Sequence, residues 1–280
     1  MIVHHLNCGT CCPAGGRVFD GTTDATQAHL VCHCLLIESE GGLVLVDTGY
    51  GTRDIDDPSH RLSTMMRTLT NPQLRREETA IAQVRALGFD PADVRHIVVT
   101  HLDFDHAGGI EDFPRATVHV TAREKEVADA GDGNALVGRK RYRPGQWDEA
   151  DQWRLYPLGG GEKWFGFDAV RDLDGLPSDI LLVPLAGHTW GHAGVAVREA
   201  GGRWLLHAGD AYFFRGEVGS PRYECPPGLR GYQALMEVDR TARLANQTRL
   251  RSLSLDRADE VRVFCAHDVV EFNLLSAGND

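Results

Sequence analysis

The run HLDFDHAGG, residues 101–109, decides how this chain folds. Its first six residues include four side chains of metal-ligand type: His101, Asp103, Asp105 and His106. In an extended loop, residues two apart point to the same side, so His101, Asp103 and Asp105 project together. Imidazole and carboxylate both bind borderline divalent metals, and the small residues that close the run let backbone pass close to a metal. The run therefore predicts a metal-binding loop.

Other ligand-type residues follow apolar strands elsewhere in the chain. Short apolar or β-branched runs predict strands at 43–46, 96–100, 180–184, 204–206 and 261–265. A ligand-type residue stands just beyond each strand, in the order Asp47, His101, His188, Asp210 and His267. Open α/β sheets place their chemistry in the loops beyond strand ends, so five such strands predict that these residues converge.

Composition restricts the class of protein. The chain has 280 residues, of which 42% are hydrophobic, and its 29 Lys and Arg against 40 Asp and Glu give a net charge of −11. Proteins that bind nucleic-acid phosphates usually carry a basic face, so we expect no nucleic-acid partner. The one basic cluster, residues 139–143, is interpreted as a solvated loop. Without a leader-like N-terminus or a run of ~20 apolar residues, we expect a cytoplasmic protein with no membrane partner.

The seven cysteines do not indicate a disulfide framework, because their number is odd and their spacing uneven. Cys8 and Cys11 have CxxC spacing without a second pair, which favours structural thiols, with a metal or redox role as the alternative. The sequence does not indicate an oligomeric state, and a homodimer is one alternative.

Several elements are predicted from local patterns. Residues 32–37 and 43–46 form a hairpin, and an amphipathic helix over 73–87 ends at a glycine. Thr121 with Glu124 fits a capping box at the start of a further helix. A long helix is predicted over about 234–255.

One domain is expected to cover residues 1–280, with 131–178 as a variable insertion. That segment holds three of the five tryptophans, Trp147, Trp153 and Trp164. It is interpreted as either one wall of a substrate pocket or a surface loop fixed by its aromatic side chains.

Together these motifs resemble the five ordered motifs of the metallo-β-lactamase superfamily. The resemblance covers residues 43–268 and rests on Asp47-Thr48-Gly49, the 101–106 run, Gly187-His188, Gly209-Asp210 and His267. It implies an α/β fold, a four-layer αββα sandwich with the metal site at one edge between two similar halves. Within the superfamily the chain is similar to the N-acyl-homoserine-lactone lactonases, which share the FDHAGG run and an aspartate followed closely by a tyrosine.

The resemblance also implies two divalent metal ions and their ligands. The first metal would be held by His101, Asp103 and His188, and the second by Asp105, His106 and His267. Asp210 would bridge the two metals, and Asp47 would orient the ligands through hydrogen bonds. His192 is interpreted as a supporting or core histidine.

Two departures from the family pattern affect these expectations. Asp103 stands where the family has a histidine, and because carboxylate is the harder donor, Mn or Fe becomes an alternative to the expected Zn. The lactonase tyrosine lies three residues after the bridging aspartate, whereas here Tyr212 lies two after Asp210 and Phe213 takes the third place. Tyr212 is therefore either a catalytic residue that polarises the substrate carbonyl or a core residue.

The expected function is hydrolysis of a small lactone or carboxylic ester by a metal-bridging hydroxide, with Asp105 as the catalytic residue that carries a proton to the leaving group. Two alternatives share the fold: an iron-containing redox or dioxygenase-type protein, and a phosphoester hydrolase. The acidic charge disfavours a nuclease, and because we expect no flavodoxin-like domain within these 280 residues, the redox alternative is disfavoured as well.

Overall fold

A computed structural model describes residues 1–132, 136–169 and 173–277. Within these ranges no helix is both long enough and apolar enough to cross a bilayer. Two larger β-sheets and ten α-helices make up the described architecture.

The first sheet has six strands in sequence order. They are β1 (Ile2–Cys11), β2 (Leu30–Ser39), β3 (Gly42–Val46), β4 (Val94–Val98), β5 (Thr117–Thr121) and β6 (Trp153–Tyr156). β1, β2 and β3 are antiparallel neighbours, which confirms the predicted hairpin. From β3 to β6 the strands are parallel, so their carboxyl ends share one edge.

A short hairpin, β7 (Glu162–Trp164) and β8 (Phe167–Ala169), precedes the second sheet. The second sheet contains β9 (Ile180–Pro184), β10 (Ala193–Arg198), β11 (Trp204–His207) and β12 (Val261–Phe264), in the order β12-β11-β10-β9. β11 and β12 are parallel, and the other pairs are antiparallel.

The helices lie between and after the strands. They are α1 (Arg17–Asp20), α2 (Thr52–Asp56), α3 (Pro58–Arg61), α4 (Thr64–Thr70), α5 (Ala80–Ala86), α6 (Ala122–Ala130), α7 (Gly138–Arg141), α8 (Pro227–Met236), α9 (Arg240–Asp256) and α10 (Val269–Ser276). Single 3₁₀ turns occur at Arg76–Glu78, Pro91–Asp93, Ile110–Asp112, Pro144–Gln146 and Arg215–Glu217.

Alternation along the strands produces the layers. In β3, Val44 and Val46 pack with Leu182 of the second sheet, whereas Leu45 packs on the opposite face with Val84 of α5. The second sheet alternates in the same way, and its outer face packs against α9. Since successive side chains of a strand point to opposite faces, each sheet has one face on the other sheet and one on helices. This arrangement confirms the αββα sandwich.

Two helix predictions need correction. The helix predicted over 73–87 begins only at Ala80, because the Thr79 hydroxyl caps the backbone N–H of Ala82. The helix predicted over 234–255 is two helices, α8 and α9, and Asp239 between them caps α9 through the N–H of Ala242.

The three tryptophans of segment 131–178 pack in or against the core of the sandwich. Trp147 packs in the core under the first sheet and Trp164 in the core under the second, both almost fully buried. Trp153 belongs to β6 and carries the Lys125 ammonium 4.9 Å from its ring centroid. These tryptophans therefore stabilise the sandwich, and residues 133–135 and 170–172 lie outside the described residues.

Buried histidines predict that the fold weakens in acid. Burial, with the charges of His96 and Arg154, lowers the pKa of His119 from 6.5 to about 3. Its ring contacts His96 Nδ1 and the Tyr156 hydroxyl, each at 2.9 Å. In the unfolded chain the His119 imidazole binds a proton below about pH 6.5, whereas in the folded chain it binds one only near pH 3. The free energy of unfolding therefore decreases as the pH falls through this window.

We expect His119→Gln to reduce the slope of unfolding free energy against pH by up to about 1.4 kcal/mol per pH unit between pH 6 and 4. Urea titrations at several pH values measure the slope. The exposed His29→Gln variant is the matched control and should keep the wild-type slope. Equal slopes for His119→Gln and wild type would contradict the assignment.

Candidate metal centre

The ends of five strands meet at one edge of the sandwich, and the ligand-type residues gather there. The first group is His101, Asp103, His188 and Asp210, with one possible ligand atom of each lying within 4.8 Å of the others. His188 Nε2 lies 3.0 Å from Asp103 Oδ2 and 3.2 Å from Asp210 Oδ2. His101 Nε2 lies 3.3 Å from the same Asp103 oxygen. All four residues are buried.

A second group lies beside the first and shares Asp210. Its members are His106, Asp210 and His267. Asp210 Oδ1 lies 3.3 Å from His106 Nε2 and 3.1 Å from His267 Nε2. Asp105 stands at the rim, with oxygens 4.0 Å from His106 Nε2 and 3.9 Å from His267 Nε2. The structure thus brings together all seven residues predicted as ligands.

Asp210 faces both groups, with one carboxylate oxygen for each. Oδ1 points to His106 and His267, and Oδ2 points to His188 and, at 3.8 Å, to His101. A carboxylate in this position can be shared by two cations, which is the role that the family resemblance implies for Asp210.

Hydrogen bonds on the far side of the imidazoles fix their orientation. The Nδ1 atom of His106 lies 2.8 Å from Asp47 Oδ2, that of His267 lies 2.7 Å from the Val31 carbonyl, and that of His101 lies 2.9 Å from the Thr100 hydroxyl. An Nδ1 that donates leaves Nε2 as a bare lone pair, which is the form that binds metals.

Asp47 takes an uncommon backbone conformation to do this. Its φ is +55°, in the left-handed region, and its other oxygen accepts the Thr100 N–H at 2.7 Å. A non-glycine residue rarely adopts this conformation unless its surroundings enforce it, and such residues cluster at functional sites. The predicted role of Asp47 in orienting ligands fits these contacts.

The donor set fits divalent metal ions. His101 Nε2, His106 Nε2 and Asp210 Oδ1 are buried without a hydrogen-bond partner, although buried polar atoms are normally paired. Metal–ligand bonds of 2.0–2.1 Å in a tetrahedron place ligand atoms about 3.3–3.4 Å apart. The observed separations are 3.0–3.8 Å in the first group, which spans that value, and 3.1–3.3 Å in the second, which lies just below it.

The electrostatics of the edge attract positive charge. Burial opposes a charged His267, but Asp210 and Asp105 outweigh it and raise the pKa of His267 to about 9. The pKa of His106 is likewise raised well above its usual value against burial, by Asp210 and Asp47. Burial raises the pKa of Asp210, yet His267, His106 and His188 hold it well below the usual range.

Glu124 joins the loops that carry the ligands. It is fully buried; its Oε1 accepts the Leu102 N–H at 3.0 Å and its Oε2 accepts the Gly191 N–H at 3.2 Å and the Thr189 hydroxyl. The predicted cap at Thr121 is present, since its hydroxyl accepts the Glu124 N–H. The Glu124 side chain, however, leaves its own helix and fixes the His101 and His188 loops to each other.

His192 supports the bridging aspartate. Its Nε2 accepts the backbone N–H of Asp210 at 2.9 Å, and its Nδ1 lies 3.0 Å from the Leu185 carbonyl. Gly209 allows this approach, because its φ is +53° and a Cβ there would lie 2.6 Å from His192 Nε2.

Arg141 is one of two residues at the cluster that the sequence did not reveal. The basic run 139–143 was expected to be a solvated loop, and this is wrong for Arg141, whose guanidinium is fully buried. Arg141 forms a bidentate pair with Asp103, with Nε–Oδ1 at 2.6 Å and Nη2–Oδ2 at 2.5 Å. Its neighbours Arg139 and Lys140 are exposed. The sequence around Arg141 carries no pattern that separates it from the exposed basic residues beside it.

The structure does not bring Tyr212 to the cluster. Its hydroxyl donates to Glu271 at 3.0 Å, and its ring packs in the core of the second sheet. The following residue, Phe213, points the other way and stacks on His267 with ring centroids 5.0 Å apart. Tyr212 is therefore a core residue, and Phe213 lines the site.

A second tyrosine, Tyr232 of α8, lies at the site instead. Its ring contacts Phe213 at 5.5 Å, and its pKa is raised well above the usual value, first by burial and then by the charges of Asp105, Asp210 and Asp103. Asp210 and Tyr232 are 22 residues apart, so the local spacing that drew attention to Tyr212 carried no sign of it.

The cysteines are free thiols, and one lies beside the second group. The Cys32 sulfur, an Asp105 oxygen and a His267 nitrogen lie within 4.8 Å of one another. Cys11 Sγ lies 3.4 Å from the Tyr50 hydroxyl.

Comparison with known proteins identifies relatives of this chain. The family model of the metallo-beta-lactamase superfamily matches residues 29–267. A probable metallo-hydrolase of Mycobacterium tuberculosis is 42% identical over 267 residues, which cover 95% of this chain and 80% of that protein. The N-acyl homoserine lactonase AttM of Rhizobium radiobacter is 30% identical over 181 residues, 64% of each chain.

A solved structure of an N-acyl homoserine lactone hydrolase, with the product N-hexanoyl-L-homoserine at its catalytic metal center, has the same fold. It superimposes with a TM-score of 0.70 at 20% identity, covering 96% of this chain and 94% of that one.

Proposed function

Because the chain belongs to the metallo-beta-lactamase superfamily, we propose that this hydrolase uses two divalent metal ions to open a small lactone or cleave a related carboxylic ester. The observation that carries the proposal is the Asp210 carboxylate, which turns one oxygen to each of two imidazole groups. Lactonases among its relatives and structural neighbours support the substrate class.

The residues divide into two ligand sets around Asp210. We assign His101, Asp103 and His188 to the first metal and His106, His267 and Asp105 to the second. Zn suits the imidazoles, and the carboxylate of Asp103 also suits Mn or Fe.

Bound metal ions would supply a water acidic enough to act as a nucleophile near neutral pH, together with charge stabilisation for the developing oxyanion. Asp105 is the most exposed of the seven, with 8% of its side chain accessible. Its position at the rim suits the transfer of a proton to the alkoxide that leaves the carbonyl carbon.

Tyr232 takes the role that the sequence offered to Tyr212. No hydrogen bond joins its hydroxyl to another of the described residues, although the carboxylates of the cluster are near enough to raise its pKa. A phenol held beside the cluster can donate to the substrate carbonyl as negative charge develops on its oxygen.

Aromatic rings lead from the cluster to an apolar groove that suits an acyl chain. Phe213 stacks on His267 and contacts Tyr232, whose ring lies 6.2 Å from that of Phe19. Phe19 lines a groove of about 510 Å³ together with Ala14, Thr64, Met65, Thr68, Leu69 and Leu235. Apolar surface beside a polar centre is typical of sites for amphiphilic small molecules.

The bridging role of Asp210 predicts unequal losses of metal. Asp210→Ala removes a ligand from both sites, so we expect at most about one tightly held ion per chain after dialysis, whereas His267→Ala affects only the second site. Elemental analysis, with circular dichroism to verify folding, measures this. Two retained ions in Asp210→Ala would contradict the bridge.

Removal of the Tyr232 hydroxyl should affect catalysis more than binding. Tyr232→Phe is expected to lower kcat on the order of 100-fold, the usual cost of losing an oxyanion donor, with unchanged metal content. Tyr212→Phe removes the same atom from the core and should leave kcat within about threefold of wild type. The assignment fails if the two variants behave alike.

The groove predicts a preference for longer acyl chains. Each buried methylene contributes about 0.8 kcal/mol, so kcat/KM should rise on the order of tenfold or more between butanoyl and octanoyl homoserine lactones. Met65→Glu should abolish this increase, while Leu244→Glu on the exposed side of α9 should retain it. A pH-stat assay follows the acid released on ring opening.

The same assay with aryl esters and phosphotriesters tests the substrate class. A metal-loaded protein that cleaves only the phosphotriesters would overturn the lactone proposal and leave the superfamily assignment intact.

A further inference from the structure

Arg141 is held by partners from three parts of the chain. Its Nε and Nη2 atoms donate to the Asp103 carboxylate. Its Nη1 atom donates to the Met236 carbonyl at 2.6 Å and to the His188 carbonyl at 3.3 Å. The backbone is fixed as well, because Tyr142 forms a β-bridge with Asp103. The guanidinium is therefore a built feature of the centre.

One guanidinium nitrogen of Arg141 also lies against a second proposed metal ligand, His188. Its Nη2 lies 2.7 Å from His188 Nε2, the nitrogen that faces Asp103 and Asp210. An imidazole nitrogen has one lone pair, which can accept a hydrogen bond from Arg141 or bind a metal ion, but not both. Binding of a metal at His188 Nε2 must therefore displace this contact.

Charge leads to the same competition. Asp47, Asp103, Asp105 and Asp210 are four buried carboxylates, and Arg141 is the one buried guanidinium that pairs with any of them among the described residues. It compensates part of this negative charge when no metal is bound. Beside a divalent ion, the same positive charge is repelled.

We propose that Arg141 is an internal counter-cation, which holds the first ligand set together in the metal-free protein and competes there with the incoming metal ion. The structure thus assigns a positioning role to Arg141. Removal of a metal ligand weakens metal binding, whereas removal of Arg141 strengthens it. This inference depends on metal binding at the cluster but not on the lactone substrate, and its test requires no turnover.

The test compares Arg141→Met with wild type and with Arg139→Met, which removes an exposed charge from the same helix. Metal-free protein is prepared with a chelator, its Tm is measured, and Co²⁺ and Zn²⁺ affinities are measured by chelator competition. We expect the metal-free Tm of Arg141→Met to fall on the order of 10 °C, because Asp103 is left buried and unpaired. We expect its affinity for the first ion to rise at least about tenfold.

Two further variants keep the proposal falsifiable if Arg141→Met does not fold. Arg141→Lys keeps the charge, so its metal-free Tm should stay nearer to wild type. Asp103→Asn combined with Arg141→Met removes both charges, and its metal-free Tm should exceed that of Arg141→Met, or folding should return.

Weaker binding of the first ion in Arg141→Met would overturn the proposal, because Arg141 would then act as an ordinary support of the Asp103 ligand. Unchanged Tm and affinity would overturn it as well. A wild-type chain that binds no metal would refute the metal centre itself, and the metal-free Tm values would still decide whether Arg141 acts as a counter-cation.

Discussion

The structure depends on the burial of four carboxylates close together at one edge of the sandwich. Asp47, Asp103, Asp105 and Asp210 are almost inaccessible to water. A buried charge is tolerated only when it is paired and hydrogen-bonded, so every element around this edge has to supply a donor or a cation. The imidazoles and the Arg141 guanidinium pair with these carboxylates, and the proposed metal ions would do so as well.

The fold meets the requirement by bringing strand ends of both sheets to the same place. Parallel strands β3 and β4 deliver Asp47 and the 101–106 loop, and strands β11 and β12 deliver Asp210 and His267. Two buried side chains then connect loops that no strand pairing connects. Glu124 joins the His101 loop to the His188 loop, and Arg141 joins Asp103 to the end of α8. The centre thus fixes how the halves of the sandwich meet.

The gathering of ligand-type residues at this edge could be predicted from sequence because its information is local, since the loops that carry them follow strands that apolar periodicity reveals. The extended-loop expectation for residues 101–106 was wrong in one respect. The Asp103 carbonyl accepts the N–H groups of His106 and Ala107 in a turn, so Asp105 faces His106 and His267 and not the first group. Arg141 and Tyr232 could not be predicted, because their positions follow from tertiary packing of segments with no local metal signal. Tyr212 was misplaced as a candidate for a related reason, since a shift of one position at the end of a strand reverses the direction of the side chain.

The helix boundaries show the same division. The hydrophobic pattern of residues 234–255 fits one helix, but Asp239 as a capping residue divides it, and this division lets α8 carry Tyr232 to the site. A capping aspartate three residues before the N–H that it accepts is a readable signal, although periodicity alone does not detect it.

The two sides of the centre have separate origins, and this bears on the substrate. The clustered histidines and aspartates come from strand ends and are fixed by buried charges, whereas Phe213, Tyr232 and Phe19 come from loops and helices outside the sheets. The rim that a substrate meets first carries Asp105, so an anionic substrate would approach a carboxylate, while a neutral carbonyl compound would not be repelled. If the substrate is the proposed lactone or ester, the apolar rings on the other side favour its uncharged acyl group. A change in these aromatic residues would then alter acyl-chain preference without disturbing the charge balance that holds the centre together.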